Sequence, residues 1–441
     1  MTGSNDGRRR VTDRLPRTLR AAVAAGIALL AAGAAAQPAA PSPARTFQTF
    51  SLQQAIAEAL LRNPVRVRAG HELAAAGFQR DAAEWGRYPT LSVDAASSQS
   101  GSTGSPTVAR LEQPLWAGGR IDGQIDSTRA LVTAAEAAEA ETNQRLAEQT
   151  AVAYLEWMGA TARVDIAAKG AELFEGLLRY VRQRQAQGLA TMADVSIGIA
   201  RHGNTLVQMS ELRGALERAR ADLAAFTLVT SFVRGVPVSV PEFAGGDAAQ
   251  VERVYVEKSP LVAQRRAEAE SARAQIEVQR GRMLPRLALR LEHLSGQGGA
   301  QLPNNESRAL FVLQFAPEPG LGSYSGTQAA RSRLDAALAQ LDAGENEVRL
   351  RSRTHLADYA ASRAQIGAIE PQLAAIEAAS ASYSRQFEAG RKSWLEVLNT
   401  HRETVDSRIS LSRARSARDQ AALRLMVNAG TFSQWLATLP K

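Results

Sequence analysis

The chain contains no cysteine and few aromatic residues. The absence of cysteine excludes disulfide bonds, thiolate metal sites and a lipoprotein anchor. Aromatic residues make up 5% of the chain, although 45% of its residues are hydrophobic, because alanine supplies much of the apolar total. Alanine is the best helix former and lets helices approach closely, so this composition predicts a mainly helical protein.

Long hydrophobic runs are also lacking, apart from one near the N-terminus. Six arginines precede the apolar residues 21–36, which end in an A-x-A pattern at Ala34 and Ala36. This arrangement predicts a signal peptide over 1–36, followed by a flexible segment over 37–50. A membrane-spanning anchor and twin-arginine export are the alternatives. No other stretch approaches the roughly 18 apolar residues of a spanning helix, so we expect strands to make any membrane contact after export.

Strong basic patches and catalytic motifs are missing as well. Half of the formal net charge of +8 belongs to the predicted signal peptide, and no basic stripe with interleaved aromatic residues indicates a nucleic-acid partner. The five histidines are scattered, without the spacing of a zinc site. The glycines of GLGSYSG (320–326) are spaced one residue too far apart for a dinucleotide-binding loop. We therefore expect no enzymatic activity, no cofactor and no metal site.

An internal repeat organises the rest of the chain. In each half, 25 positions separate two prolines that flank a helical segment, over 64–89 and 260–285. Further on, a glycine precedes an acidic residue by six positions in both halves, at Gly188 and Gly390. The two halves are thus offset by about 200 residues, which indicates a tandem duplication.

Each half predicts a helix, a β-hairpin, a very long helix and a returning helix. The first repeat is expected over 51–228, with a first helix over 51–86, a β-hairpin over 90–115 and a helical hairpin over 123–228. The second is expected over 259–430, with a β-hairpin over 286–316 and a helical hairpin over 327–428. A linker (229–258) separates them, and a C-terminal tail (431–441) follows. A helix of some 60 residues is roughly 90 Å long, which favours a mixed, mainly α, coiled-coil-like fold.

The stretches predicted as β-hairpins alternate with the period-two pattern of strands. In RLALRLEHL, Leu287, Leu289 and Leu291 share one face, and RALFVLQF alternates similarly. About nine to eleven residues cross a bilayer as a tilted strand, so the pattern fits a membrane barrel with lipid outside and polar residues inside. A soluble antiparallel sheet is the alternative. Four strands cannot close around a channel, whereas three copies would supply twelve.

These features resemble the TolC-type family of outer-membrane efflux and secretion ducts over nearly all of the mature chain. The resemblance rests on the order, spacing and duplication of SLQQAIAEALLRNP, YPTLS, QPLWAGGR, GLATMADV, GRKSWLEVLN and AALRLMVNAG. It implies a homotrimer in the outer membrane. Each subunit would give four strands to a twelve-stranded β-barrel embedded in outer-membrane lipid, and its helices to a periplasmic α-helical barrel. The linker (229–258) and the C-terminal tail would form a small equatorial layer. It also implies a periplasmic adaptor and an inner-membrane ABC or proton-driven transporter as partners.

The resemblance further assigns roles at the hairpin tips. Gly188 and Gly390 match turns that the adaptor contacts. Asp194 and Glu396 match positions at the periplasmic aperture, where an acidic ring restricts the closed pore and favours cations. Lys392 matches a position whose basic side chain helps to latch the closed state. The alternative for both carboxylates is an ordinary helix-face or N-terminal-turn acid that complements the helix dipole.

Asn399 departs from the family pattern. Better-studied members have a second acidic residue at this position, one helical turn after the residue that Glu396 matches. Because asparagine is neutral, we expect the aperture ring to carry less negative charge, which puts cation selectivity and metal block in doubt.

Four residues between the first β-hairpin and the long helix predict the joint between barrel and tunnel. Pro114 is expected to stop the strand ladder at the barrel rim. Trp116 is expected either in an aromatic girdle at the membrane interface or in a buried contact. Gly118 and Gly119 would let the backbone swing from strand to helix.

The cargo is open to more than one interpretation. QPLWAGGRID and GRKSWLEVLN are most similar to the branch that works with ABC exporters in type I secretion of large adhesins. The outer-membrane component of a multidrug or metal efflux pump is the first alternative. A structural periplasmic coiled-coil or adaptor protein is the second, although an adaptor should have a single long hairpin and no duplicated unit.

Overall fold

The computed structural model describes residues 46–95, 107–244, 246–295, 306–316 and 322–439. The predicted signal peptide lies outside these residues, as does most of the segment predicted over 37–50. Within the described ranges the protein is mainly helical and contains six strands. The composition and periodicity therefore predict the fold class correctly.

Apart from the first strand and the first helix, the two repeats contain matching series of elements. The first comprises β1 (Thr46–Phe50), α1 (Leu52–Arg62), α2 (Pro64–Trp85), β2 (Thr90–Ala95), β3 (Thr107–Trp116), α3 (Arg120–Ala186) and α4 (Met192–Thr227). The linker holds β4 (Ser231–Gly235) and α5 (Ala248–Lys258). The second repeat comprises α6 (Pro260–Gly281), β5 (Arg286–Ser295), β6 (Glu306–Gln314), α7 (Gly322–Glu388) and α8 (Trp394–Asn428). A short helix, α9 (Phe432–Thr438), follows.

The single helix predicted over 51–86 is in fact two helices, α1 and α2. Proline has no N–H to donate to the preceding turn, which favours the end of α1 before Pro64. Asn63 instead caps α2, its side chain accepting a hydrogen bond from the Val65 N–H at 3.0 Å. In the second repeat Ser259 caps α6 in the same way, directly before Pro260.

The longest elements are α3 and α7, which have 67 residues each. At 1.5 Å per residue each is about 100 Å long. α3 packs along α4 and α6, and α7 packs along α6 and α8. Small buried side chains such as Ala151, Ala160 and Ala167 let the helices approach closely. Pro371 lies inside α7, which continues through it. Among the described helices, none is both long enough and apolar enough to cross a membrane.

Four strands form one antiparallel sheet in the order β2-β3-β5-β6, so the two β-hairpins join through β3 and β5. One face of this sheet, hereafter the apolar face, carries exposed side chains of Leu91, Val93, Leu111, Leu291, Phe311 and Leu313. The opposite, polar face carries the charged residues of all four strands. The alternation in the sequence therefore predicts the two faces correctly.

A smaller parallel sheet pairs β1 with β4 and corrects one boundary. The segment predicted as flexible over 37–50 ends in strand β1, and the linker contributes β4 and α5. Tyr154 of α3 holds this sheet: its hydroxyl lies 2.8 Å from the carbonyl oxygens of Phe50 and Val236 and accepts from the Val236 N–H. Burial raises the pKa of Tyr154 to about 12, so the hydroxyl stays neutral.

Candidate functional site at the helical hairpin tips

The two helical hairpins end in turns of the same design, which we name tip 1 (187–191) and tip 2 (389–393). Gly188 and Gly390 adopt left-handed conformations, with φ of 75° and 73°. In each tip the residue after the glycine donates a backbone hydrogen bond of 2.8 Å to the carbonyl five residues earlier. A Cβ added at either glycine would have open space around it, so the backbone conformation is what requires glycine here.

Asp194 and Glu396 are both the third residue of a helix that begins with a capping box. Asp194 Oδ2 accepts hydrogen bonds from the Thr191 N–H at 2.9 Å and hydroxyl at 2.8 Å. Glu396 Oε2 accepts from the Ser393 N–H at 3.0 Å and hydroxyl at 2.8 Å. Each hydroxyl in turn accepts from the N–H of the acidic residue. The interpretation as N-terminal-turn acids is thus correct for both carboxylates, and the aperture role stays a prediction.

Lys392 forms an ion pair with Glu396 inside tip 2. Its Nζ lies 2.7 Å from Glu396 Oε1 and 4.3 Å from the centre of the Tyr383 ring. The hydrogen bond from Lys392, followed by those from Ser393, lowers the pKa of Glu396 to about 2. The same hydrogen bond raises the pKa of Lys392 above its usual value. Both groups are therefore charged at neutral pH, and the ammonium neutralises much of the field of the carboxylate.

Three side-chain hydrogen bonds link α4 to α8, and their positions on α4 are seven residues apart. Near the tips, Trp394 Nε1 donates to the Asp194 carbonyl at 3.0 Å. Two helical turns further along α4, Arg201 Nη2 donates to Asn399 Oδ1 at 3.2 Å. Beyond that, Gln208 donates to Asp406 at 3.1 Å. The spacing of seven keeps successive contacts on the same seam between the helices.

The sequence reasoning assigned no role to Trp394 or Arg201. Trp394 is 4% exposed and belongs to a buried apolar cluster just behind the tips, formed by Ala167, Phe174, Leu178, Val181, Val195, Leu212, Trp394, Leu398, Val405 and Ile409. Gly198 packs against this cluster, where an added Cβ would lie 3.2 Å from Leu178 Cδ1 and in ordinary contact with the Trp394 ring at 3.7 Å. The tryptophan within GRKSWLEV was the available signal. No sequence pattern indicated a role for Arg201, because its hydrogen-bond partner Asn399 lies 198 residues away.

Tip 1 exposes apolar side chains, whereas tip 2 exposes a basic one. Leu189 is 62% exposed and Met192 is 67% exposed, beside the glycine turn of tip 1. At the matching positions of tip 2 stand Arg391, which is exposed, and Trp394, which is buried. The duplicated tips therefore present different chemistry to a partner.

The joint between the first β-hairpin and α3 differs from the sequence prediction in one respect. Pro114 does not end the strand, because β3 continues to Trp116 with a register irregularity between these two residues. A bulge lets the ladder pass a residue that cannot donate a hydrogen bond. The Trp116 side chain is 47% exposed, so it is not a buried packing residue of this chain.

Gly118 and Gly119 follow with φ of 63° and 82°, as the predicted swing from strand to helix requires. An added Cβ at Gly118 would stand 2.7 Å from the Leu284 Cβ, whereas one at Gly119 would meet nothing within 4 Å. Gly118 thus also permits the close approach of the segment that precedes β5.

Comparison with known proteins identifies a family and several relatives that share this sequence pattern. The sequence model described as "Outer membrane efflux protein" matches residues 55–227 and 255–431, one segment in each repeat and together most of the chain. Among curated proteins, the cobalt-zinc-cadmium resistance protein CzcC of Cupriavidus metallidurans is 25% identical over 317 residues, which cover 69% of this chain and 72% of CzcC. The nickel-cobalt-cadmium resistance protein NccC of Alcaligenes xylosoxydans xylosoxydans is 27% identical over 368 residues, covering 78% and 77%.

Solved structures share the fold. A crystal structure of CusC superimposes with a TM-score of 0.77 at 18% identity, covering 90% of this chain and 98% of that one. At this identity the likeness concerns the fold alone.

Proposed function

This chain belongs to the outer membrane efflux protein family, and we propose that it is the exit duct of a tripartite system that exports divalent metal cations. As a member of this family it is an outer-membrane protein whose helices extend into the periplasm. One observation carries the proposed cargo: both curated relatives, each matched over more than two thirds of its length, are metal resistance proteins.

The four-stranded sheet supports the proposed homotrimer. β2 and β6 are its edge strands, with one unpaired side each, and a sheet that exposes apolar residues on one face is unstable in water. Three copies would pair these edges into twelve strands, with the apolar faces toward lipid and the polar faces toward a lumen.

The tips support the proposed contact with a periplasmic adaptor. Leu189 and Met192 offer apolar surface that water solvates poorly, next to turns that Gly188 and Gly390 hold in one conformation. A partner hairpin that covers tip 1 would gain this burial, and an acidic group facing Arg391 would complete the contact at tip 2. The energy for transport would come from the inner-membrane transporter of the system, proton-driven or ABC.

In this proposal the ring at the aperture carries less negative charge than it would with two uncompensated acidic residues at tip 2. Lys392 offsets the charge of Glu396, and Asn399 is neutral and engaged by Arg201. In this proposal the tips admit cations without holding them tightly, and the links between the hairpins, with Lys392 among the tip contacts, keep the aperture closed at rest.

A deletion strain tests the proposed cargo. We expect loss of this chain to lower tolerance of cobalt, zinc, cadmium or nickel salts, and a plasmid copy to restore it, because the exported cations would then have no exit. Growth in drugs and the amount of surface adhesin should stay unchanged. Unaltered metal tolerance with impaired adhesin release would instead support type I secretion, which neither the family match nor the relatives support. Altered drug susceptibility alone would support multidrug efflux.

A further inference from the structure

The polar face of the four-stranded sheet balances its charges. By register it carries four arginines and four carboxylates, namely Arg110, Arg286, Arg290, Arg308, Asp94, Glu112, Glu292 and Glu306. Such a balance is not required by the fold, because any polar residue can occupy a face that meets water. The described strands thus present no net charge on this side.

Glu292 lies at the centre of this arrangement. It is 6% exposed and contacts arginines of three adjoining strands. Its carboxylate accepts from Arg110 of β3 at 3.2 Å and from Arg308 of β6 at 2.7 Å, and Arg290 of its own strand approaches to 3.7 Å. The side chains of Glu112 and Asp94 are far more open, at 24% and 64% exposure. Glu292 is therefore the carboxylate on which the arginines of the sheet converge.

The converging arginines must face the lumen of the barrel. A guanidinium on the lipid side would lose its hydration without replacement, whereas the exposed leucines and Phe311 of the opposite face suit lipid. In a trimer, three copies of the Glu292 cluster would therefore surround the exit path at one height.

We propose that Glu292 keeps the barrel lumen electrically neutral, and thereby permeable to divalent cations, by offsetting the arginines of β3, β5 and β6. The proposal rests on the trimeric duct and the cation cargo proposed above. Without Glu292 one arginine per subunit stays uncompensated, which leaves three positive charges around the trimer. A ring of fixed positive charge repels cations and admits anions.

Ion selectivity of purified trimers in planar bilayers tests this role. Under a salt gradient, Glu292→Gln should shift the reversal potential toward anion selectivity. Arg308→Gln should shift it in the opposite direction, and the double variant should return close to the parent, because the charges again balance. The shifts should shrink in about 1 M salt, where the Debye length falls to about 3 Å from about 10 Å at 0.1 M.

Several outcomes would overturn the proposal. One is an unchanged reversal potential for assembled Glu292→Gln trimers. Another is a double variant whose selectivity departs further from the parent than either single variant, since that indicates a structural role. Trimer assembly is checked for each variant by its heat-modifiable band. If the deletion strain keeps its metal tolerance while the selectivity shifts occur as expected, the cargo proposal fails and the role of Glu292 in lumen charge stands.

Discussion

At the hairpin tips, single side chains serve several neighbours at once. The carboxylate of Glu396 receives hydrogen bonds from the N–H and hydroxyl of Ser393 and from the ammonium of Lys392. The capping box was readable in the sequence as a serine three residues before a glutamate. The ion pair was readable as a lysine four residues before it. The hydrogen bond between Asn399 and Arg201 was not, because the chain positions of the two residues are unrelated by any local rule.

Protonation of Glu396 should loosen tip 2 in acid. Its folded pKa of about 2 lies below the ordinary value of 4.5, so the ionised carboxylate stabilises the tip. That stabilisation is fully present above about pH 4.5 and is lost as the pH falls from there toward about 2. We expect amide hydrogen exchange at the start of α8, corrected for its intrinsic pH dependence, to accelerate in this window.

Two variants separate this effect from general acid unfolding. Glu396→Gln should remove the pH-dependent step, whereas Glu403→Gln, the same change at an exposed position of α8, should retain it. Retention of the step in Glu396→Gln would assign it to another group.

Among the elements, the joints show most clearly how local rules and packing combine. Proline and glycine marked the joint before α3 in the sequence, and the chain does turn there. The continuation of β3 past Pro114 was not predictable, because pairing with β5 keeps the strand extended to Trp116 despite one missing donor. The break between α1 and α2 could have been predicted from Asn63 and Pro64 together, a capping residue followed by proline.

The two glycines of this joint should differ in their tolerance of alanine. Both have positive φ, so Gly118→Ala and Gly119→Ala share the backbone strain. Only at Gly118 would the methyl group collide with Leu284, and such overpacking costs about 1–3 kcal/mol. We expect the Gly118→Ala trimer to dissociate at a lower temperature on semi-native gels than the Gly119→Ala trimer. Equal dissociation temperatures would show that the segment before β5 moves to accommodate the methyl group without loss of trimer stability.

At the scale of the whole molecule, the two faces of the sheet determine which side of it can meet lipid and which side can meet water. One face exposes leucines, valines and Phe311, and the other is covered by ion pairs. Water suits the second face and lipid suits the first, which is why a closed barrel accommodates both.

Neighbouring residues of β6 test this division. Phe311 lies on the apolar face and Leu310 on the polar face, beside Arg290. An arginine facing the bilayer midplane costs about 2–4 kcal/mol, so Phe311→Arg should reduce the trimer recovered in the outer membrane. Leu310→Arg, which adds the same group toward the lumen, should assemble nearly as well as the parent. Equal recovery of both variants would contradict the assignment of the faces.

The periodicity, the breaks at proline and glycine, and the duplication can all be read from the order of residues along the chain. The sequence was therefore sufficient for the fold class, the paired tips and the alternating strands. Contacts between distant segments follow from how those elements dock. They include the strand β1 formed against β4, the Trp394 cluster that holds the hairpins together and the convergence of Arg110 and Arg308 on Glu292. Each joins residues more than a hundred positions apart or on separate strands, and only the folded chain brings their charges and apolar surfaces within reach.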